Sequence, residues 1–319
     1  MTEILAITTP IYLIILIGYL MTRFGLFGKA EMRTFGKFVV NLALPALLFK
    51  ALSERRVAEV LNAGYLFAYA FGSLVVIGLG LFWARRCAGR DPLASSFYAM
   101  GVSCSNSGYM GYPILLLTLP AVAGVSVALN MIVENLLAIP LLLILAERAR
   151  GGGDSWATVG KLLGRVAANP LILALLAGLI ASLLELRTPQ IVVQTVNVLA
   201  AASGGVALFV VGGALVGLPV GGLGKEVAPI VFGKLVLHPL CVSAGILMLP
   251  SLGLAPLDPA LQMAAVLMAA MPMMGIFPTV AQQYGQEDFT AVALLLTTVA
   301  SFFTLSGLLW AFRHFAFIG

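Results

Sequence analysis

"NSGYMGYP", residues 106–113, lies inside a stretch otherwise apolar enough to cross a bilayer. Asn106, two glycines and a proline are poor material for a buried helix. In hydrocarbon each unsatisfied backbone group costs several kcal/mol, so a broken helix has to face protein or a wet cavity. The stretch therefore predicts a helix interrupted at mid-depth for a purpose, and the rest of the chain is read outward from that break.

The 319 residues are 61% hydrophobic and 10% charged, whereas a soluble domain carries about 25% charged residues. Runs of about 20 apolar residues recur along the chain. This is the composition of an all-α polytopic membrane protein. The net charge of +5 is accounted for by Lys and Arg in cytoplasmic loops and calls for no nucleic acid. Cys87, Cys104 and Cys241 fall in or beside apolar runs and form neither a disulfide framework nor a CxxC metal motif. The N-terminal run contains Glu3 and no basic region, so it reads as a first span rather than a cleaved signal.

Ten transmembrane helices are expected, at 4–22, 35–52, 62–84, 94–118, 121–146, 166–184, 191–217, 226–249, 260–283 and 289–312. With the N-terminus outside, the cytoplasmic connections hold Arg23, Lys29, Arg33, Lys37, Arg85, Arg86, Arg90, Arg148, Arg150, Lys161, Arg165 and Lys225. The outer side holds only Lys50, Arg55, Arg56, Arg187 and Arg313. That asymmetry places both termini on the outer side of the membrane.

"PIYLIILIGYL" (10–20) resembles "PLILALLAGLI" (170–180), and Pro113 and Pro278 sit at nearly the same offset in spans four and nine. Five spans per half is an odd number, so the halves form an inverted repeat. The division is 1–146 for the first repeat, 147–165 for a cytoplasmic connecting loop and 166–319 for the second. Span nine carries its own interruption, "MPMMGIFP" (271–278). Proline suits the first turn of a helix, so Pro113 and Pro278 are each expected to start a second half-helix. Gly108, Gly111 and Gly275 would permit unwound backbone, and Asn106 can donate its amide to a carboxylate or cap freed backbone. Two half-helix N-termini meeting at mid-membrane would form an anion site. The alternative is a pair of ordinary proline kinks.

Other polar residues inside spans have two readings each. Glu134 could carry a proton, pair with Lys234 or bond a neighbouring helix. Lys234 and His238 share a helix face in "GKLVLHP", where they could serve proton coupling or anion attraction. Alternatively Lys234 snorkels to the interface and His238 packs against backbone. Asn41 in "NLALP" could line a pocket or bond between helices. Tyr109 could stack on a substrate or form pocket wall. Thr297, Thr298 and Ser301 read as packing rather than sodium ligands. No nucleophile–base set, phosphate loop or paired acidic metal motif is visible, and no cofactor or metal is expected.

"FGKFVVNLALPALLFKAL" (35–52), "NSGYMGYP" (106–113), "ENLLAIP" (134–140) and "QQYGQEDFTAVALLLTTVASFFTL" (282–305) resemble the auxin efflux carrier family, which includes plant PIN transporters and bacterial carriers of small dicarboxylates. The resemblance implies two inverted five-helix repeats with spans four and nine crossing as broken helices, the bile acid symporter/NhaA-like architecture. It implies a scaffold of spans one, two, six and seven, elevator-type alternating access, a homodimer and a place in the bacterial inner membrane. Carried over by position, Asn106, Gly108 and Pro113 match the first crossover, Pro278 the second, and Asn41 and Pro45 the scaffold side of the pocket. Tyr109 and Gly275 join them as expected substrate contacts, with Glu134, Lys234 and His238 as candidates for coupling to H⁺ or Na⁺. One departure is that the second crossover reads Met271, Pro272, Met273 and Met274, where plant members often have asparagine. The symmetric pair of amides is missing. The expected function is secondary transport or uniport of a small organic anion, with a sodium-coupled symporter of the bile acid type, or a membrane sensor without flux, as alternatives.

Overall fold

The computed structural model describes residues 2–54, 61–151, 160, 164, 167–186, 188–218 and 224–314. Arg55, Arg56, Lys161, Arg165 and Arg187, used above for orientation, and much of the 147–165 loop lie outside the described residues. Every regular element among the described residues is helical. In chain order they are α1 (Thr2–Arg23), α2 (Lys29–Ser53), α3 (Ala63–Arg86), α4 (Pro92–Ser103), α5 (107–118) and α6 (Pro120–Ala149). There follow α7 (Pro170–Leu183), α8 (Gln190–Ala214), α9 (224–248), α10 (Pro259–Ala269), α11 (Phe277–Gln282) and α12 (Glu287–His314).

Helices α2, α3, α6, α8, α9 and α12 are long and apolar enough to cross a membrane. Within α1, α7 and α10, apolar stretches are shorter. Large apolar side chains such as Leu13, Leu16, Phe82, Leu176 and Phe303 stand exposed along these helices. On a soluble chain such a surface would aggregate, and on a membrane chain it faces lipid. The molecule is an all-helical membrane protein.

Four helical runs contain a wide π turn among the described residues: Val39–Ala43, Ser107–Gly111, Glu134–Ala138 and Gly233–Leu237. Each is followed by a proline six positions after its first residue, namely Pro45, Pro113, Pro140 and Pro239. Proline has no N–H for the carbonyl four residues back, and its ring crowds that carbonyl. Widening the preceding turn relieves both problems. Accordingly Leu44, Ile139 and His238, the residues preceding or near those prolines, donate to carbonyls five back, at Val39, Glu134 and Gly233.

The π turn corrects the expectation for Pro113. The helix after the first break resumes at Ser107, and Pro113 is the second residue of the α-helical part, Tyr112–Thr118. Gly108 and Gly111 are therefore helical, and the unwound backbone is Cys104–Asn106. Gly108 is needed for space, since a Cβ there would come 2.8 Å from Leu44 Cδ1 and 3.1 Å from Met131 Cε. Pro278 does sit at the start of a helix, α11, as its fixed φ favours.

The described chain forms two compact units. One comprises Met1–Asn62, Ser107–Met131 and Ala167–Gly217. Its α1 and α8 approach at two glycines, with Gly18 against the Phe209 backbone and Gly212 against the Ile15 backbone. This is the small-residue contact by which membrane helices associate without a hydrophobic drive. Phe27, Phe35 and Phe209 add an edge-to-face aromatic cluster, with ring centroids 5.5–6.3 Å apart. The other unit comprises Ala63–Asn106, Ile132–Val166 and Leu218–Gly319. There α3 packs on α9 through Gly72 against Val242 and Gly245 against Ala68. Each unit draws on both sequence halves, so compactness partitions the chain differently from the expected repeats.

Candidate functional site

The site is built at two interruptions, one between α4 and α5 and one between α10 and α11. Helix α4 is capped at its start by Asp91, whose Oδ1 accepts from the backbone N–H groups of Leu93 and Ala94. It ends at Ser103, and Cys104 turns to extended backbone, with φ −85° and ψ 117°. Helix α10 ends at Ala269, and the chain stays irregular until Phe277. Two interruptions in buried chain, at 104–106 and 271–274, leave backbone groups that need partners. They are satisfied by each other. Ser105 and Met273 pair in an antiparallel β-bridge, the Asn106 N–H donates to Pro272 O at 2.8 Å and the Met274 N–H to Cys104 O at 3.2 Å. The Met-rich stretch lacking an asparagine thus contributes backbone rather than side-chain polarity.

Side chains complete the crossing. The Ser105 N–H donates to Glu134 Oε1 at 2.9 Å. Tyr69 OH lies 3.0 Å from Ser105 Oγ and donates to Glu134 Oε1 at 3.4 Å. Lys234 Nζ donates to Ser105 Oγ at 2.7 Å and to Ala269 O, a terminal carbonyl of α10, at 2.6 Å. It also bonds His238 Nδ1 at 2.9 Å, while His238 Nε2 bonds Ser73 Oγ at 3.1 Å. With the ammonium donating to Nδ1, the imidazole proton sits on Nε2 and points to Ser73. Lys234 and His238 are 0% exposed and Glu134 4%, so Lys234 does not snorkel. Glu134 and Lys234 open adjacent positions of two π turns, which aim them at Ser105.

Asn106 is different. Asn106 is 3% exposed, yet its amide Nδ2 has no hydrogen-bond partner among the described residues. A buried donor left unmade costs about 1–3 kcal/mol. Beside it stands Gly275: a Cβ built there would lie 3.7 Å from Asn106 Nδ2, with no other atom from outside the adjoining residues within 4 Å. The amide therefore borders a place where the chain has left a side chain out.

The structure thus gathers Asn106, Gly275, Glu134, Lys234 and His238 in one unit, with Pro278 shortly beyond the break. The remaining expected residues belong to the other unit. Asn41 Nδ2 donates to Lys37 O of its own helix at 2.7 Å, and Tyr109 OH to Gly36 O at 3.1 Å. Pro45 follows the first π turn. Pro113 lines an apolar groove of about 190 Å³ with Pro10, Ile14, Leu116, Gly204 and Leu208. Asn130 Nδ2 donates to Ser107 Oγ at 3.2 Å. Thr297, Thr298 and Ser301 donate to carbonyls three or four residues back on α12. Among the described residues, no three His, Cys, Asp or Glu side chains are grouped to hold a metal.

Sequence reading missed Ser105, Tyr69, Ser73 and the Ala269 carbonyl. Ser105 stood in the quoted neighbourhood of the break, but nothing marks one serine of "SCSNS" as the shared partner. Tyr69, in "GYLFAYAFG", looks like any packed aromatic.

A profile of the family described as "Membrane transport protein" matches residues 4–309. The chain belongs to this family. Within it, a protein of Rhizobium meliloti (strain 1021) named "Putative malonate transporter" is 33% identical over 98% of this chain and 97% of its own length. "Uncharacterized transporter YfdV" of Escherichia coli (strain K12) is 28% identical over 73% of this chain and 75% of its own. The family agrees with the resemblance to auxin efflux carriers drawn from the motifs, and its profile spans the chain from the first helix into the last.

Proposed function

We propose that this membrane transport protein carries a small carboxylate, of which malonate is the first to test, and holds it beside Asn106. The observation that supports this is the buried, unpartnered Asn106 amide next to the space left by Gly275. A carboxylate oxygen is a strong acceptor for it, and a hydrogen bond to a charged group is worth about 1.5–3 kcal/mol. The name of the Rhizobium meliloti relative agrees with that chemistry. The helix N-termini add less than the sequence suggested, because α11 spans only six residues.

In this reading the ten spans form two inverted five-helix repeats with both termini outside. The unit bearing the crossing moves as the carrier and alternates access as an elevator, and two copies form a homodimer. A pH gradient, where it drives uptake, acts through Glu134, Lys234 and His238. The second reading, a sodium-coupled symporter, draws on the carboxylate, hydroxyl and carbonyl oxygens of Glu134, Ser105 and Ala269 at the crossing.

The test is uptake of labelled malonate and other mono- and dicarboxylates into proteoliposomes, with and without Na⁺ and pH gradients. Saturable uptake of a small carboxylate that unlabelled malonate inhibits supports the proposal. Absence of uptake or binding across the whole panel overturns it.

A further inference from the structure

Two oxygens that would suit a coupling cation at the crossing, Ser105 Oγ and Ala269 O, are already bonded to an ammonium. Discontinuous membrane helices bind cations at the C-terminal ends of their half-helices, through carbonyls freed from the helix ladder. Here the carbonyl in that position, Ala269 O, accepts from Lys234 Nζ at 2.6 Å. Ser105 Oγ, on the opposing break, accepts from it at 2.7 Å, and His238 Nδ1 at 2.9 Å. An ammonium has three N–H donors and no acceptor, and Lys234 has three partners. Around the same serine lie the Glu134 carboxylate, bonded to the Ser105 N–H, and the Tyr69 hydroxyl. The set therefore contains a carboxylate, a helix-end carbonyl and two hydroxyls, with the Lys234 ammonium bonded to the carbonyl and to the Ser105 hydroxyl that the other two groups share.

We infer that the Lys234 ammonium is a tethered cation occupying the crossing's cation seat, so that the carrier works without sodium, and that deleting the side chain creates a site for a small monovalent cation. Lys234 reaches the seat from the second position of its π turn. His238, one turn on and held at its far nitrogen by Ser73, keeps the ammonium from leaning away. The tethered group stays with the chain throughout, whereas a diffusible ion would bind and leave with each cycle. The inference selects between the two readings above, and only its transport arm rests on the proposed function.

The experiment is thermal unfolding of the purified full-length protein in chlorides of sodium, lithium, potassium, ammonium and N-methylglucamine at equal ionic strength. The wild type is expected to unfold at one temperature in all five. Lys234→Ala is expected to unfold lower, and to recover saturably with sodium, lithium or ammonium but not with N-methylglucamine. Adding Glu134→Gln should abolish that recovery by removing the anionic ligand. A Lys234→Ala protein indifferent to the ion overturns the inference. Should that variant fail to accumulate, the wild type decides. Saturable binding of radioactive sodium that Glu134→Gln reduces, or sodium-specific stimulation of malonate uptake, overturns the inference. Absence of binding, with uptake changing by less than about twofold on exchange of Na⁺ for N-methylglucamine, the range of ionic-strength effects alone, upholds it. Lack of any carboxylate uptake, with the ion-dependent recovery intact, would sink the transport reading and leave the cation seat standing.

Discussion

Ser105 and Met273 face each other in an antiparallel bridge at the point where two helices are interrupted. The pairing explains how buried backbone can be left non-helical: each break supplies the hydrogen bonds that the other lacks. It also shows why one break needs polar side chains and the other does not. Ser105 collects Glu134, Tyr69 and Lys234, while Met273 contributes backbone between buried apolar neighbours.

Asn106→Ala tests the substrate contact. The amide Nδ2 has no partner among the described residues, so its removal should leave the unfolding temperature within a few degrees of wild type. Loss of a hydrogen bond to a charged ligand should lower malonate uptake about 10–100-fold. Unchanged uptake in proteoliposomes would remove Asn106 from the site.

Gly275→Ala tests the space beside it. The added methyl meets only the Asn106 amide, at ordinary van der Waals distance of 3.7 Å, so the fold should tolerate it. The methyl occupies room that a carboxylate would use, and the KM for malonate should rise while the folded yield stays constant. Gly275→Val should act more strongly. A KM that ignores both changes would place the substrate elsewhere.

Glu134→Gln should destabilise the protein. Glu134 and Lys234 both bond Ser105, and leaving the buried ammonium without the nearby carboxylate charge should cost up to about 3–5 kcal/mol. Tyr69→Phe removes only one hydroxyl from the same group and should cost about 1 kcal/mol. Unfolding in a denaturant series would rank the two. Equal effects would mean that the carboxylate's charge matters no more than a single hydrogen bond.

Gly212→Leu tests the other unit. Even a Cβ at this position would meet the Ile15 carbonyl oxygen at 1.8 Å, and the contact is with backbone that cannot swing away. α1 and α8 would have to separate, costing more than the about 1–3 kcal/mol of ordinary overpacking. Gly205→Leu, at a helix position with nothing within 4 Å of the added Cβ, is the control. Similar yields of monodisperse protein for both would count against the glycine seam.

The amino-acid sequence alone determined the membrane class, the approximate limits of the helical segments, and the presence of interruptions within 94–118 and 260–283. Those features are local: apolar run length reports the bilayer, and glycine, asparagine and proline report where a helix cannot continue. Local rules also misplaced one detail, because Pro113 reads as a helix start when the π turn before it lets the helix begin at Ser107. The tertiary structure decided the partners. Ser105 is 36 residues from Tyr69, 29 from Glu134 and 129 from Lys234, and no periodicity links positions so far apart. It also decided which polar groups at the crossing are already engaged, as Lys234 and His238 are, and that the Asn106 amide is left open among the described residues. Hydrogen-bond satisfaction is a property of packed neighbours in three dimensions, and it becomes legible only once the helices have brought those neighbours together.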